Sequence, residues 1–382
     1  MQRFQHSKQG SQSTTFLRTV VRVVCACGLL GGPAVAWSQS VVFINPGKLD
    51  EAYWVSAGQA MAQAAKSLGM QWQMITTERD RLKPIEVARE IASRPVAERP
   101  DYVVFSNDYS IAPSMLQILE GTGIQSFMAF SGVNHDLREQ VGLAREKFPS
   151  WIGSLEPQAE AAGYLTAQAL IAAARKGQVQ RGPDGKIHML VIAGDRSTPS
   201  STARNAGMRQ AVREHADVVL EQEVFGDWRH DKAQDQASVL FRRYPYARVV
   251  WAGNDLMAFG AMDAWRQLGG APGVDAFFSG INTSDTAFAL LGKGQLSALA
   301  GGHFLAGAWA MVMLFDHHRG IDFASEGLEQ QRPLFMAFDA HSATRFQQRF
   351  NMQMHTLNFK PFSKHHNRAI QRYAFNVQAL LH

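Results

Sequence analysis

The stretch RVVWAGNDLMAFGA, residues 248–261, decides the fold, because it joins an apolar run to a polar turn and a helical pattern. Residues 248–252 are mostly apolar, which is typical of a β-strand covered on both faces. Gly253-Asn254-Asp255 then interrupts the run with residues that favour turns and helix starts. Apolar residues recur at helical spacing from there to residue 268. The stretch therefore predicts one βα unit with polar side chains at the carboxyl end of its strand.

The same alternation extends along the chain from residue 41. The first half predicts strands at 41–44, 71–75, 102–105 and 126–130, with helices near 57–68, 84–93 and 112–120. The second half predicts a helix at 158–174, strands at 188–193, 217–225, 248–252, 276–281 and 296–300, and helices at 202–214, 231–243, 255–268, 284–292 and 304–318. Repeated βα units build parallel sheets with helices on both faces. The predicted fold class is α/β, with two Rossmann-like lobes in tandem.

Length and composition fit two globular domains. The chain has 382 residues, of which 46% are hydrophobic and 19% charged. These values exclude a disordered or fibrous chain. Most of the net charge of +5 comes from residues 1–38, which contain four basic residues and no acidic one. The remainder is nearly neutral, so we expect no nucleic-acid partner.

Residues 1–38 have the organisation of a signal peptide. Arg18 and Arg22 precede the apolar run Val23–Leu30, and Ala34-Val35-Ala36 supplies small residues for cleavage near Ala36. The run is too short to span a bilayer. Two alternatives stay open, a buried N-terminal helix and a lipoprotein acylated at Cys27. We expect export to the periplasm, which also suits a chain whose two cysteines both lie in this segment.

Polar and aromatic residues follow the predicted strands, where parallel sheets bind their ligands. Aromatic rings offer flat apolar faces, while guanidinium and amide groups offer hydrogen bonds to hydroxyls. Each also has a structural explanation: a hydrophobic staple for the aromatics after the first strand, a surface position for the arginine, and a helix N-cap for Asp255. The set suits a neutral, hydroxyl-rich solute, and its members are Tyr53, Trp54, Arg204, Trp228, Asn254, Asn282 and His303.

The sequence lacks the usual signatures of catalysis. It contains no phosphate-binding G-x-x-x-x-G-K-[ST] loop, no G-x-S-x-G nucleophile elbow and no H-E-x-x-H helix. The histidine pairs 317–318 and 365–366 are sequence neighbours, which point apart on a helix and make poor joint metal ligands. We therefore expect no enzyme activity, no metal and no cofactor.

Three segments resemble the type I periplasmic solute-binding proteins, in particular their ribose- and galactose-type sugar-binding branch. They are Ala203–Gly207, Gly253–Ala261 and Gly280–Asn282, and the resemblance extends over residues 41–340. It implies two lobes joined by three crossovers. The crossovers are expected near Ser154–Pro157, Gly301-Gly302 and Gln331–Pro333. The lobes are then residues 39–155 with 303–330, and residues 156–302 with 331–345, followed by an extension, 346–382.

The resemblance also implies roles for individual residues. Tyr53 and Trp54 match paired aromatics that stack on a sugar ring, and Trp228 matches a further stacking aromatic. Arg204 and Asn254 match polar contacts from the second lobe. Three departures point to a less polar or differently decorated ligand: Asn282 replaces a usual Asp, Phe130-Ser131 replaces an Asp-Arg pair, and Glu51 replaces an Asn. Phe130 is therefore the eighth predicted ligand-binding residue.

The implied function is capture of a sugar-like solute and its delivery to an ABC permease by a monomeric protein. A ligand-binding co-receptor for a membrane sensor kinase or cyclase is the alternative, and an exported enzyme is a third possibility. The family's repressors need a helix-turn-helix where this chain has its export signal. For the extension, the pattern favours a packed terminal helix around Arg368–Leu381 over a strap across a lobe or a membrane-partner docking segment.

Overall fold

The computed structural model describes residues 38–381. The predicted signal peptide, its cleavage near Ala36 and the alternative acylation at Cys27 lie outside the described residues. Within this part of the chain, no helix combines the length and the apolar character needed to cross a membrane.

The first lobe is built on a parallel sheet of six strands in the order β2-β1-β3-β4-β5-β11. Its central strands are apolar on both faces, because helices cover both sides of the sheet. The strands are β1 Ser40–Asn45, β2 Gln71–Thr76, β3 Tyr102–Phe105, β4 Gln125–Ala129, β5 Trp151–Pro157 and β11 Glu329–Arg332. The helices of this lobe are α1 Ala52–Leu68, α2 Lys83–Ser93, α3 Ala112–Leu119, α4 Arg138–Val141 and α10 Ala306–His318.

The second lobe repeats this plan in the order β7-β6-β8-β9-β10-β12, where only β12 is antiparallel to its neighbour. Its strands are β6 Ile187–Ala193, β7 Val218–Phe225, β8 Ala247–Ala252, β9 Phe277–Ile281, β10 Ala298–Gly301 and β12 Met336–Ala337. Its helices are α5 Ala159–Lys176, α6 Pro199–Arg213, α7 His230–Arg243, α8 Asp255–Gln267, α9 Asp285–Gly292 and α11 Ala340–Phe346. The predicted α/β class with two lobes is confirmed.

The chain passes between the two sheets at three places. It leaves the first sheet after β5, returns to it after β10, and leaves again between β11 and β12. Gly302 lies in the second passage with φ 97°, a left-handed conformation that glycine adopts without strain. The prediction missed β5 and β11. Their sequences, WIGSLEP and EQQR, are interrupted by Gly and Pro or entirely polar, so neither reads as an apolar strand.

The extension does not form the terminal helix predicted around Arg368–Leu381. Residues 373–376 form no helix, and Tyr373, Phe375 and Val377 are buried while the residues between them are less so. Phe375 stacks on Trp309 of α10 with ring centroids 4.9 Å apart. A single short 3₁₀ turn follows at residues 378–380. The predicted helix was wrong because side-chain burial here has a period of two.

The extension, residues 346–381, forms a strap that covers α10. This helix is apolar on all sides, so it needs protein on both faces. The first sheet covers one face, and the strap packs aromatic rings against the other. The strap also reaches the second lobe, where Gln347 and Asn351 donate hydrogen bonds of 3.0 and 2.7 Å to Asp285.

Asp316 fixes the strap to the end of α10. Its carboxylate is fully buried and accepts four hydrogen bonds, from the Ser363 hydroxyl, the Lys364 and His365 backbone N–H groups and the Tyr373 hydroxyl. Without that carboxylate, four buried donors would lose their acceptor, at a cost of about 1–3 kcal/mol for each group left unsatisfied. The strap therefore depends on one side chain of the first lobe.

We expect Asp316→Asn to lower the free energy of unfolding by about 2–4 kcal/mol, because an amide cannot accept all four bonds. Proteolysis within residues 346–381 should accelerate at the same time. Urea unfolding and timed protease digestion measure both effects. The matched control is Asp322→Asn, which breaks a partly exposed pair with Arg145 and should cost about 1 kcal/mol or less. Equal stability of the two variants would contradict the role given to Asp316.

Candidate ligand-binding site

A small cavity lies between the two lobes, where the carboxyl ends of both sheets face each other. All eight side chains selected from the sequence line it, together with five others. The lining residues are Glu51, Tyr53, Trp54, Arg79, Asp108, Phe130, Ser131, Ser200, Arg204, Trp228, Asn254, Asn282 and His303.

The first lobe contributes an aromatic wall. Tyr53 and Trp54 occupy the first turn of α1, with ring centroids 4.8 Å apart in an edge-to-face arrangement. Phe130 follows β4 and meets Trp54 edge to face at 5.2 Å. Behind them, Phe43 of β1 joins the wall to the core of the lobe. Trp54 therefore both packs on the core and lines the cavity, so the staple and the cavity-lining interpretations apply to the same ring.

Charged residues of the first lobe form a linked group that the sequence reasoning missed. Arg79 binds the Glu51 carboxylate through two hydrogen bonds and lies 3.5 Å from Asp108. Burial opposes the charge on Arg79, but the Glu51 carboxylate outweighs it and the pKa of Arg79 rises. Burial raises the pKa of Asp108. Arg79 and Asp108 follow β2 and β3, so applying the strand-end rule to every strand would have found them.

The second lobe contributes a buried arginine. Arg204 on α6 is 6% exposed, so the interpretation as a surface residue is wrong. Its guanidinium donates to the Gly253 carbonyl at 2.7 Å and to Nε2 of His303 at 2.9 Å. Burial lowers the pKa of Arg204 to about 10, which leaves it charged at neutral pH. The structure thus places a cation in the cavity with no carboxylate of residues 38–381 in direct contact.

Trp228 and Asn254 close the second lobe's side of the cavity. Trp228 has a left-handed backbone with φ 63° and packs its ring over Gly194, where an added Cβ would lie 2.2 Å from the ring. Asn254 caps α8, accepting from the Met257 N–H at 2.9 Å. The predicted cap, Asp255, is instead the first helical residue and accepts a 2.8 Å hydrogen bond from Asn282. Both cavity amides are therefore held in fixed orientations.

His303 connects the cavity to the passages between the lobes. Its ring lies between Tyr53 and Phe335, with centroid distances of 4.6 and 4.3 Å and nearly parallel planes. Because a guanidinium can only donate, Nε2 of His303 accepts from Arg204 and the proton of the neutral ring is on Nδ1. Burial lowers the pKa of His303 well below its usual range, and the positive charge of Arg204 lowers it further.

The two lobes are closed over the cavity. Arg81 of the first lobe forms a 2.5 Å ion pair with Asp195 of the second. The Ser110 hydroxyl donates to the Ser197 carbonyl at 2.9 Å, and the Ser200 N–H donates to the Ser131 hydroxyl at 3.3 Å. These contacts hold the cavity walls within reach of one small molecule.

Four buried N–H donors of the cavity residues have no acceptor within the described chain. They belong to the indoles of Trp54 and Trp228, to Nε of Arg204 and to Nδ1 of His303. Each such donor costs free energy unless a bound group accepts its hydrogen bond. Across residues 38–381 no cluster of three or more His, Cys, Asp or Glu side chains is placed to hold a metal ion. The arrangement can stack on flat rings and donate to hydroxyl oxygens.

The chain is similar in sequence and in fold to known proteins. A family profile described as a periplasmic binding protein domain matches residues 41–321. A periplasmic sugar-binding protein from Pseudomonas fluorescens is 35% identical, with a TM-score of 0.80, over 90% of this chain and 100% of that protein. No curated protein matches the sequence.

Two more distant structures share the fold. One is an ABC transporter solute-binding protein from Actinobacillus succinogenes 130z with bound D-allose, 17% identical with a TM-score of 0.68, over 80% of this chain and 99% of that one. The other is the arabinose transporter's binding protein from Shewanella sp. ANA-3, 16% identical with a TM-score of 0.64, over 82% and 96% of the two chains.

We expect His303 to stay neutral, with its proton on Nδ1, at about pH 6, where an ordinary histidine is largely protonated. Side-chain ¹⁵N NMR distinguishes the two neutral tautomers from the imidazolium ion, and the His303→Gln spectrum assigns the signal. The exposed His341 and His355 serve as internal comparisons in the same spectrum. A protonated His303 at this pH would contradict the geometry of the Arg204 contact.

Proposed function

Because this chain belongs to the periplasmic binding protein family, we propose that it captures a neutral, sugar-like solute between its lobes and delivers it to an ABC permease. The site residues are those that line the cavity, with aromatic stacking from Tyr53, Trp54, Phe130 and Trp228. Polar contacts come from Arg204, Asn254, Asn282 and His303. The protein acts as an exported monomer in the periplasm, and it binds its ligand without chemical change.

The observation that carries this proposal is the pairing of ring faces with unpaired donors inside one closed cavity. A sugar presents apolar C–H faces, which suit the aromatic wall of the first lobe. Its hydroxyl and ring oxygens accept hydrogen bonds, which suit the free N–H groups of Trp228, Arg204 and His303. A purely apolar ligand would leave those donors buried and unsatisfied.

The balance of charge supports a neutral ligand. Arg79 is matched by Glu51 at the first lobe's wall. The charge of Arg204 is offset at longer range by the buried Asp108, so the lining contains two basic and two acidic side chains. The cavity therefore offers no excess charge that an ionic ligand would neutralise. The 35% identical relative, described as a sugar-binding protein, supports the same class of ligand.

Arg204→Gln tests the polar part of the site. We expect it to weaken sugar binding about 10- to 100-fold, because hydrogen bonds to charged groups contribute about 1.5–3 kcal/mol. Titration calorimetry against a panel of neutral pentoses and hexoses measures the effect. Arg213→Gln, an exposed position on the same helix, is the control and should retain wild-type affinity.

A second variant keeps this test valid if Arg204→Gln does not fold. Trp228→Phe keeps a ring but removes the indole N–H, so affinity should fall about three- to tenfold. Wild-type affinity in both variants would contradict the assigned site. Failure of the wild-type chain to bind any sugar in the panel would overturn the proposed ligand class.

We expect the sugar that binds best to lose about tenfold or more in affinity when its terminal hydroxymethyl group is oxidised to a carboxylate. The new charge would be desolvated beside Glu51 and Asp108. Paired calorimetric titrations of the aldose and its uronic acid at neutral pH measure the difference in affinity. We expect Glu51→Gln to make the two affinities more similar. Tighter binding of the acid would contradict the neutral-ligand assignment.

Delivery to a permease is tested by the genes beside the one that encodes this chain. Permease and ATPase genes would support transport. A sensor kinase or cyclase gene in their place would instead support the co-receptor function.

A further inference from the structure

The strap differs in charge from the protein that it covers. The strap, residues 346–381, contains five Lys or Arg and no Asp or Glu. Residues 1–37 contain four Lys or Arg and no acidic residue, so residues 38–345 carry a net charge of −4 within the chain's total of +5. Positive charge is thus concentrated in one segment on a net acidic body.

Part of the strap is a loop whose two ends are held together by two buried carboxylates. Asp316 accepts hydrogen bonds from Ser363 and Tyr373, at the two ends of residues 363–373. Glu326, 3% exposed at its side chain, pairs with Lys364 and accepts from the Tyr373 N–H at 3.0 Å. We call residues 363–373 the basic loop. Because its two ends are held at one point, residues 365–372 project from the end of α10.

The basic loop presents cations that the described protein leaves unpaired. Arg368 and Arg372 are exposed, as are the rings of His365 and His366. Among the strap's five Lys and Arg residues, only Lys364 forms an ion pair within residues 38–381. Arg319 lies beside the loop, with its guanidinium over the Phe315 ring that His366 stacks on.

The positive groups at this surface repel one another. His365 lies 5.2 Å from the His366 ring, and Arg319 contacts the same Phe315 ring as His366. Burial lowers the pKa of His366, and His365, Lys360 and Arg319 lower it further. Nearby Asp316 opposes this effect but is occupied by its four hydrogen bonds. The nearby carboxylates Glu326 and Asp322 are engaged in ion pairs of their own, and a cluster of like charges is stabilised by an anionic partner.

We propose that the basic loop, together with Arg319 and Lys360, is a docking surface for a carboxylate-rich face of a partner protein. Arg319, Arg368 and Arg372 supply planar guanidinium groups, which bind carboxylates through two parallel hydrogen bonds. The surface lies on the first lobe and includes no residue of the cavity, so it is separate from ligand capture and does not depend on the proposed function.

The loop's composition favours a protein over a lipid surface. None of its exposed residues is a large apolar side chain that could insert among lipids: Ile370 is half-buried and Tyr373 is buried. The segment also lacks the amphipathic helix that peripheral membrane anchors use. A loop of fixed shape with separated guanidinium groups instead suits recognition of fixed carboxylates.

The test uses the full mature chain and a fluorescein-labelled peptide of alternating Glu and Gly as probe, followed by fluorescence anisotropy. We expect binding at low salt that weakens steeply as ionic strength rises. Arg368→Gln/Arg372→Gln should weaken it about five- to tenfold, because two exposed ion pairs contribute about 1–1.5 kcal/mol together. The matched control is Arg89→Gln/Arg242→Gln, which removes the same charge from exposed positions on α2 and α7.

Several outcomes would overturn the proposal. Equal weakening in the two double variants would show a response to net charge alone. Binding to phosphatidylglycerol vesicles without binding to the peptide would assign the surface to lipid. If the peptide did not bind at low salt, the basic loop would not be a docking surface for carboxylates. The sugar affinity of the loop variant should equal that of wild type, which separates this test from that of the cavity.

Discussion

The guanidinium of Arg204 is the interaction on which the binding site depends. It is buried without a carboxylate of the described chain in contact, and it donates to the end of β8 through Gly253 and to His303 in the second passage between the lobes. His303 in turn stacks on Tyr53 of the first lobe. One cation thus connects the second lobe, the passage and the first lobe's aromatic wall. Its Nε–H has no acceptor within residues 38–381 and is free for a ligand.

This connection links ligand capture to closure. A ligand can favour the closed form only through contacts that the open form lacks. Arg204 and Trp228 belong to one lobe and Tyr53 and Trp54 to the other, so a solute that touches both sets favours closure. The strap adds a second constraint, because it is bound to Asp316 in the first lobe and to Asp285 in the second. An opening motion must either bend the strap between these points or break the Asp285 contacts.

The sequence was sufficient to predict the alternation of strands and helices and the eight cavity residues, because buried parallel strands are apolar and ligands lie beyond their carboxyl ends. It was insufficient for β5 and β11, whose polar or interrupted sequences are paired through backbone hydrogen bonds that no side-chain pattern reveals. Arg79 and Asp108 follow β2 and β3, so the strand-end rule locates them, but the sequence does not indicate that Arg79 pairs with Asp108 and with Glu51. The strap was mistaken for a helix because its burial is set by Trp309, far away in sequence.

The most direct test of the account is the distance between the lobes with and without sugar. Spin labels are attached to Val96→Cys in the first lobe and to Val239→Cys in the second, because both positions are exposed. The two native cysteines, Cys25 and Cys27, are replaced by Ser. Pulsed electron–electron double resonance then measures the distribution of distances between the two labels. The account predicts a broad distribution without ligand that a bound neutral sugar narrows to the distance of the closed structure. An identical distribution in the presence of a sugar that calorimetry shows to be bound would contradict it.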